Sequence, residues 1–464
     1  MRRKKQLTAC LLAFALLLGM IPASEVSAAK KVSLSNKKLT VTKGKSKTLK
    51  VKNTKKKVKW KILSGKKYIF LKKKGKVAVS VKGKKKGTAK VQATVGKKKL
   101  TCKVTVKNVK TSKTTPAPPV TTTPSATPLA NSTNDAKALK NLIAEQKKQG
   151  ASSKLSEDIQ NNEQYTWKNG RLVGIDWRKV ELKGELSTEK FSALHYLYCN
   201  NNQLTSLDVT KNTALTSLSC SGNQLTSLDV TKNTALTSLS CSGNQLTSLD
   251  VTKNTALTSL SCSSNQFSSL DVTKNTALIT LYCDRNQLRS LDVTKNTALT
   301  SLYCGGNQLR SLDVTKNTKL TYLSCYDNQL TSLDVTKNTA LITLYCDRNQ
   351  LRSLDVTKNT ALTSLYCGGN QLRSLDVTKN TKLTYLSCYD NQLTSLDVTK
   401  NTALITLYCD RNQLSSLGVT KNTALTSLYC GGNQLSSLDV TKNTKLLDDA
   451  IRCDANVIII RNNN

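Results

Sequence analysis

Apolar residues recur with a period of 21 along the C-terminal part of the chain. The stretch "LTSLSCSGNQLTSLDVTKNTA" fills residues 215–235 and follows again, letter for letter, at residues 236–256. Within each copy the second half, "LTSLDVTKN", repeats the first half, "LTSLSCSGN", ten residues later. A fixed period of this length is typical of a solenoid, in which each turn packs only against its neighbours. Two strand-like halves per turn predict an all-β, flattened solenoid with parallel strands on both sides and little helix.

The spacing of the apolar residues and one asparagine matches a known repeat frame, L-x-x-L-x-L-x-x-N-x-L, with cysteine at the third apolar position. Twelve successive turns keep this frame. The chain therefore resembles the leucine-rich repeat proteins, and in a broad sense the internalin-like surface proteins of bacteria. The resemblance implies a leucine-rich repeat solenoid over residues 194–464 that ends in a truncated repeat. The matching residues of the first quoted copy are Leu215, Leu218, Cys220, Asn223 and Leu225.

Two polar columns accompany the apolar frame. In leucine-rich repeats the asparagine bonds backbone groups of adjacent turns, so the column from Asn202 to Asn433 is expected to be structural. An aspartate column runs from Asp208 to Asp439, with Gly418 as its only gap, and a lysine follows each aspartate three residues later. One carboxylate per turn supplies few ligands for calcium. We therefore expect the aspartates to cap turns, and we expect no metal and no cofactor.

A cysteine column runs through the solenoid from Cys199 to Cys430 with the same period, and Cys453 follows it. Parallel strands lie about 4.8 Å apart, whereas a disulfide needs Cβ atoms about 3.8 Å apart. Zinc ladders need four ligands per ion, and the chain contains only one histidine, His195. A catalytic thiol needs a base and exposure. The column is therefore expected to be core packing, because cysteine is a small and frequently buried residue.

Residues 135–193 are expected to form the N-terminal cap of the solenoid. Asp135 is predicted to cap an amphipathic helix, "AKALKNLIAEQKKQ", that ends at Gly150. The stretch at residues 165–186 then follows the repeat pattern in a weak form, with Trp177 among its apolar positions. A degenerate first repeat is typical of solenoids, because an end must cover the apolar cross-section of the next turn.

Residues 30–110 alternate apolar residues with lysine or threonine at period two, and glycines interrupt the alternation. This pattern predicts several short strands and a small β-sandwich. Three segments and a glycine resemble the group 2 bacterial immunoglobulin-like domains: "LTVTKGKSKTLKV" (39–51), "VKW" (58–60), Gly75 before "KVAV", and "GTAKVQATV" (87–95). The resemblance implies an Ig-like fold for this segment.

The N-terminus has the organisation of a secretory signal. Basic residues 2–5 precede an apolar run at residues 11–21 that is too short to span a bilayer, and "VSAA" at residues 26–29 offers a cleavage site. Residues 1–29 are therefore a predicted signal peptide, and no other run is long enough to cross a membrane. Residues 111–134 are a predicted Thr/Pro-rich linker. The protein is expected to be secreted, extracellular or associated with the cell wall of a bacterium.

Positive charge is concentrated in one segment. The net charge is +42, and residues 30–113 contain 32 lysines and no acidic residue. Such a segment is expected to bind an anionic polymer, teichoic acid or extracellular DNA, by counterion release. The alternative is a solvated basic coat on a spacer domain, since Trp60, Tyr68 and Phe70 are expected to be buried. The candidate polyanion-binding residues are Lys55, Lys56, Lys57, Lys72, Lys73, Lys74, Lys84, Lys85, Lys86, Lys97, Lys98 and Lys99.

The outward positions of the first half-repeat change along the solenoid. They are serine in the early copies and tyrosine, arginine and aspartate from residue 278 onward. Exposed tyrosine and arginine are typical of interaction surfaces, but tyrosine ladders also stabilise sheets. Residues 278–340 recur letter for letter at 341–403, so a duplication has copied the tyrosines whichever role they have. The candidate ligand-binding residues are Tyr282, Tyr303, Tyr322, Tyr326, Tyr345, Tyr366, Tyr385, Tyr389, Tyr408, Tyr429, Arg285, Arg348 and Arg411.

These features favour an exported, monomeric, non-catalytic protein that presents its repeats to a protein or glycan ligand, as an adhesin does. The alternative is a cell-wall-associated spacer that its lysine-rich segment holds to an anionic polymer. An enzyme is not expected, because the sequence contains no metal motif, no Ser/His/Asp set and no phosphate-binding glycine loop.

Overall fold

The computed structural model divides into two compact units, and the division falls between Pro124 and Ser125. The predicted signal peptide lies outside the described residues, as do residues 111–133 of the predicted linker. Within the described ranges no helix has the length and apolar character that crossing a bilayer requires. The structure describes residues 33–34, 38–42, 46–52, 54, 58–73, 76–96, 98–107 and 134–462.

The N-terminal unit consists of two four-stranded sheets, ordered β1-β3-β6-β5 and β2-β8-β7-β4. Strand β2 is parallel to β8, and the other neighbours are antiparallel. Leu49 and Val81 of the first sheet and Val91 of the second are fully buried in one core. The strands are β1 Ser33–Leu34, β2 Lys38–Thr42, β3 Ser46–Lys52, β4 Lys59–Ser64, β5 Ile69–Lys73, β6 Ala78–Gly83, β7 Gly87–Val95 and β8 Lys98–Lys107.

The first described element of the second unit is helix α1, Asn134–Lys148, which is followed by Gly150 at φ +94°. The helix is confirmed, but Asp135 lies within its first turn. The buried Asp135 carboxylate accepts hydrogen bonds from Arg171 Nε and Leu172 N, both at 2.9 Å. These donors belong to the first solenoid strands, so the aspartate fastens the helix to the sheet. Trp177 is fully buried beneath this cap.

The solenoid is built on one sheet of 15 strands, which is parallel except for the first pair. Each inner strand pairs with the strand 21 residues later, as in Leu218 beside Leu239. The strands are β9 Tyr165–Lys168, β10 Arg171–Asp176, β12 Tyr196–Tyr198, β14 Ser217–Ser219, β15 Ser238–Ser240, β16 Ser259–Ser261, β17 Thr280–Tyr282, β18 Ser301–Tyr303, β19 Tyr322–Ser324, β20 Thr343–Tyr345, β21 Ser364–Tyr366, β22 Tyr385–Ser387, β23 Thr406–Tyr408, β24 Ser427–Tyr429 and β26 Ile451–Arg452.

The second side of the solenoid has strands only at its two ends. Parallel pairs form between β11, Lys183–Ser187, and β13, Gln203–Asp208, and between β25, Ser437–Asp439, and β27, Ile458–Ile460. A 3-10 turn, Asp448–Ala450, lies before β26. The all-β solenoid is confirmed, but its second side carries fewer strands than the repeat pattern predicts.

Asparagine side chains bond backbone groups of neighbouring turns. Asn223 Oδ1 accepts the hydrogen bond of Leu204 N at 2.9 Å, and its Nδ2 donates to the carbonyls of Cys199 and Cys220. One side chain thus satisfies backbone groups of two successive turns. Asn233 Nδ2 likewise donates to the Val209 and Asn212 carbonyls, both at 2.9 Å. The column from Asn202 to Asn433 is therefore structural, as the repeat frame implies, and the Asn233 column, which the sequence pattern did not single out, bonds the backbone in a similar way.

Each turn buries the same apolar positions, and Phe267 replaces the leucine of the Leu225 position in one turn. Leu215, Cys220, Leu225 and Val230 are fully buried, and their counterparts in later turns are buried equally. Burying one leucine stabilises a fold by about 1.5–3 kcal/mol. The interior of the coil is therefore uniform, and the differences between turns lie on the outside.

Candidate binding face of the solenoid

The outer face of the long sheet changes at β17. Each three-residue strand from β14 to β24 buries its central leucine and leaves its first and last residues half-buried, except that the last serines of β19 and β22 are buried. In β14 to β16 these outer residues are serines, and Ser221 Oγ bonds Ser240 Oγ of the next turn at 2.7 Å. From β17 onward, every strand through β24 carries one tyrosine at an outer position, and these tyrosines are half-buried.

Eight of the predicted tyrosines form a single file, which we name the tyrosine stack. Ring centroids of Tyr345 and Tyr366 lie 4.1 Å apart with planes 12° from parallel. Four other steps measure 4.3–4.5 Å. The stack has two openings, at which the rings are farther apart and not parallel. The centroids of Tyr322 and Tyr345 are 5.7 Å apart with planes 39° from parallel, and those of Tyr385 and Tyr408 are 5.6 Å apart with planes 77° from parallel. Its members are Tyr282, Tyr303, Tyr322, Tyr345, Tyr366, Tyr385, Tyr408 and Tyr429.

The stack continues because two tyrosines change position within their strands. Tyr322 is the first residue of β19, whereas Tyr303 is the last residue of β18, and each lies beside a serine in the strand register. The two rings therefore meet diagonally across neighbouring turns, 4.5 Å apart. Tyr385 repeats this arrangement on β22. At the far end the Arg452 guanidinium lies 5.6 Å from the ring centre of Tyr429.

The phenol groups of the stack are also linked. Tyr303 shares hydrogen bonds with Tyr282 and Tyr322, and burial is the main reason that its pKa is raised to about 12. Tyr345 shares hydrogen bonds with Tyr322 and Tyr366, and its pKa is raised for the same reason. The phenols therefore remain protonated at neutral pH. Neighbouring rings cover one another's faces, which leaves ring edges toward solvent.

The other two predicted tyrosines form a different contact. Tyr326 lies across Gly305, where an added Cβ would be 2.3 Å from the ring atom Cε1, and its hydroxyl bonds Arg285 two turns earlier. Tyr389, Gly368 and Arg348 repeat the arrangement. Glycine is required at positions 305 and 368 because the Cβ of any larger residue would displace the tyrosine ring.

The third copy of this arrangement is incomplete. Arg411 occupies the position of Arg285 and Arg348, but the residue after the last cysteine is Asp454. The Asp454 carboxylate accepts hydrogen bonds from Gly432 N at 2.8 and 2.9 Å. The predicted arginines therefore lie on one face at a spacing of three turns, and two of them are held by tyrosine.

Half-buried carboxylates accompany the arginines. Burial raises the pKa of the Asp347 carboxyl to about 6. The negative charge of Asp327 also raises this pKa, whereas the positive charge of Arg348 lowers it. Burial also raises the pKa of Asp410. Asp284, at the equivalent place, accepts a hydrogen bond from Ser263 Oγ at 2.6 Å. The Asp347 carboxyl thus becomes protonated in mildly acidic conditions.

The same face carries an apolar row that the tyrosine and arginine pattern did not predict. Ile279, Ile342 and Ile405 are 42–45% exposed, three turns apart, in the turns that carry the arginines. Most other turns have threonine here, and Thr237 Oγ1 donates to the Thr216 carbonyl at 3.0 Å. The replacement of threonine by isoleucine every 63 residues was the available signal.

The cysteine and aspartate columns have the roles predicted for them. The thiols from Cys199 to Cys430 are free and fully buried, and burial raises the pKa of Cys220 to about 12. Asp229 Oδ1 accepts hydrogen bonds from Thr231 N at 2.8 Å and from Thr231 Oγ1 at 2.7 Å, which lowers the pKa of its carboxyl. No cluster of metal ligands occurs among the residues that the structure describes.

Several of the predicted polyanion-binding lysines are at the surface of the N-terminal unit. Lys84, Lys85, Lys86 and Lys99 are exposed, and Lys98 is half-buried. Lys72 and Lys73 belong to β5. Lys55, Lys56, Lys57, Lys74 and Lys97 lie outside the described residues.

The aromatic residues of this unit differ in part from expectation. Phe70 is 49% exposed, so its predicted burial is wrong. It points outward because it occupies an outward position of β5 between buried Ile69 and half-buried Leu71. The Lys84 ammonium lies 5.6 Å from the centre of the Phe70 ring. The Phe70 side chain therefore lies among surface lysines.

Comparison with known proteins places the solenoid among leucine-rich repeats. Residues 192–233 match the family described as Leucine Rich repeats (2 copies). The functional domain of InlJ from Listeria monocytogenes, described as including a cysteine ladder, is similar at 39% identity and a TM-score of 0.58. The match covers 61% of this chain and 63% of that one, so the chain spans less than two thirds of the InlJ domain.

Two further solved structures share the fold. The internalin InlF from Listeria monocytogenes is 24% identical, with a TM-score of 0.54 over 70% of this chain and 97% of that one. YopM from Yersinia pestis is 20% identical, with a TM-score of 0.52 over 70% of this chain and 99% of that one. No curated protein is similar enough to count as a match. The chain thus contains an internalin-like leucine-rich repeat solenoid.

Proposed function

We propose that this chain is an exported bacterial surface or secreted protein that binds a protein ligand, without catalysis, on the tyrosine-bearing face of its solenoid. The observation that carries the proposal is the three-turn period of that face. Turns that begin at Leu278, Leu341 and Leu404 each present an exposed isoleucine, a stacked tyrosine and an arginine. Exposed apolar, tyrosine and arginine side chains on a rigid scaffold are typical of binding hot spots.

The geometry favours a protein over a glycan. Sugars bind aromatic side chains by lying on ring faces, and the stacked rings cover one another's faces at 4.1–4.5 Å. The groups of the face that remain available to a ligand are the ring edges, the guanidinium groups and the isoleucines. A folded protein surface supplies complementary carboxylates and apolar side chains for these groups.

The third copy of the three-turn unit supports the assignment of the face. Residues 404–446 differ from residues 341–383 at three positions, where Ser415, Gly418 and Ser436 replace Arg352, Asp355 and Arg373. All three lie in the second half-repeat, away from the tyrosines. Over these two turns the isoleucine, the stack tyrosines and the arginine of the face are unchanged, whereas the third turn has no counterparts of Tyr385 and Tyr389.

Capture of ligands from a combined protein and glycan array by the full chain tests the proposal. Replacing Arg285, Arg348 and Arg411 with serine is expected to abolish capture of the protein that the unaltered chain binds. The matched control replaces Arg289, Arg310 and Arg352 with serine, which removes the same charge outside the face. Equal losses in both variants, or capture of glycans alone, would contradict the proposal.

A second function is supported by the charge of the N-terminal unit. We propose that its surface lysines hold the protein to an anionic polymer of the cell wall, with teichoic acid as the first candidate and extracellular DNA as the second. Lys84, Lys85 and Lys86 form an exposed run, and the segment contains no acidic residue that could neutralise them. Binding of this kind weakens steeply with salt.

Sedimentation of the full chain with purified cell walls tests this second function. We expect the chain to sediment at low salt and to remain in solution at high salt, and walls stripped of teichoic acid to retain less of it. Replacing Lys84, Lys85 and Lys86 with glutamine should reduce retention, whereas replacing Lys232, Lys253 and Lys274 of the solenoid should not. Salt-independent sedimentation would show that charge is not the anchor.

A further inference from the structure

The tyrosine stack brings oxidisable groups together in an unusual density. Eight phenols follow one another along the sheet, and five of the seven steps between ring centroids are 4.5 Å or shorter. Rings this close have carbon atoms in van der Waals contact, at about 3.5–4 Å. The rings are half-buried, so their edges are open to small oxidants from solvent.

We propose that the tyrosine stack is a site of oxidative cross-linking, at which neighbouring turns become joined by dityrosine. The co-reactant is a one-electron oxidant, such as a haem peroxidase with hydrogen peroxide. Each of two neighbouring tyrosines loses one electron and its phenolic proton, and the two resulting phenoxyl radicals couple through ring carbons ortho to the oxygen. Each coupled carbon then passes its hydrogen to the phenol oxygen. Two hydrogen atoms leave in total, and one hydrogen peroxide molecule is reduced to two water molecules.

The proton released in the first step passes to solvent water. Loss of an electron from a phenol is coupled to loss of its proton, and the half-buried tyrosines of the stack lie at the solvent surface. Burial of the cysteine column on the opposite side of the same strands keeps those thiols from competing for the oxidant.

The two openings in the stack predict where coupling stops. At Tyr322–Tyr345 and Tyr385–Tyr408 the centroids are 5.7 and 5.6 Å apart and the planes are far from parallel. Cross-links should form within three segments and not between them. The segments are Tyr282–Tyr303–Tyr322, Tyr345–Tyr366–Tyr385 and Tyr408–Tyr429.

Paired variants of the full chain test this assignment. In a background with phenylalanine at all eight positions, one variant regains Tyr345 and Tyr366, 4.1 Å apart, and the other regains Tyr322 and Tyr345, 5.7 Å apart. Both native pairs share a hydrogen bond, so the variants compare ring placement alone. Peroxidase and hydrogen peroxide are added to dilute protein, and dityrosine fluorescence is measured.

We expect dityrosine in the first variant and none above the all-phenylalanine background in the second, with both remaining monomers on denaturing gels. Phenylalanine preserves ring stacking, and circular dichroism would verify that the three chains fold alike. Equal fluorescence in both variants would overturn the proposal. Cross-linking only between separate molecules would overturn it as well.

Discussion

The serine-faced turns at residues 215–277 and the tyrosine-faced turns at 278–446 share one interior and differ in their outer surface. Leu260 in the first region and Leu344 in the second are both fully buried, and both regions keep the same strand register. In the first region serine hydroxyls bridge neighbouring turns, and in the second region stacked rings do so. The comparison teaches that the interior of this coil determines the backbone while the outer positions are free to change chemistry.

The largest expected effect is the loss of stability when a buried leucine is truncated, and it tests whether the two regions have equivalent interiors. Leu260→Ala and Leu344→Ala should each lower the free energy of unfolding by about 2–5 kcal/mol, because both leave a cavity in the same kind of core. Denaturant unfolding monitored by circular dichroism measures the two values. A clear excess for Leu344→Ala would mean that the tyrosine stack contributes to the core beneath it.

The next effect concerns the packing of the Tyr326 ring across Gly305, a contact that the serine-faced turns lack. Gly305→Ala should cost about 1–3 kcal/mol, because the new Cβ overlaps the Tyr326 ring and forces it off Arg285. The control is the same change in a Tyr326→Ser background, where the cost should nearly vanish. Thermal unfolding of the four chains completes the cycle. Equal costs in both backgrounds would show that the ring is not the obstacle.

A smaller effect is the pH dependence of stability that Asp347 confers. Burial raises the pKa of this carboxyl to about 6, above the ordinary value of 3.8, so the folded state binds more protons than the unfolded state between these pH values. Stability contributed by this group should therefore fall as pH rises through that window. Asp347→Asn should remove the dependence and raise the melting temperature at pH 7.5 more than at pH 4.5.

Asp250 in the serine-faced turns should give a pH dependence of stability with the opposite sign. Hydrogen bonds from Thr252 lower the pKa of its carboxyl, so its contribution to stability is present at neutral pH and is lost as pH falls through the lowered pKa. Asp250→Asn should therefore be slightly destabilising at pH 7.5. A stabilising effect at that pH would contradict the turn-capping role.

The smallest effect on stability is expected from the exposed isoleucines. Replacing Ile279, Ile342 and Ile405 with threonine restores the residue of most other turns, so each change should alter the free energy of unfolding by less than about 0.5 kcal/mol. Ligand capture should nevertheless fall, because the apolar row belongs to the proposed binding face. Unchanged capture with unchanged stability would remove the isoleucines from that face.

The sequence was sufficient to predict the interior and insufficient to predict the contacts on the outside. A strict 21-residue period specifies buried leucines, cysteines and asparagines, because each position meets its own copy in the next turn. The stacking of Tyr303 on Tyr322 joins residues 19 apart and depends on side-chain direction across two strands. Two other contacts likewise depend on three-dimensional packing that the spacing of residues does not reveal. They are the packing of the Tyr326 ring against Gly305 and the hydrogen bond from Arg171 to the Asp135 carboxylate.

Strand pairing limited to adjacent turns has a genetic consequence. Residues 278–340 and 341–403 are identical, so an in-register recombination between their coding sequences would remove or add 63 residues, which is three complete turns. The junction reproduces a contact already present in the chain, and the cap and the last turns keep their neighbours. The length of the tyrosine-bearing face can therefore vary between descendants in steps of one intact unit, without an intermediate that must be refolded around a new core.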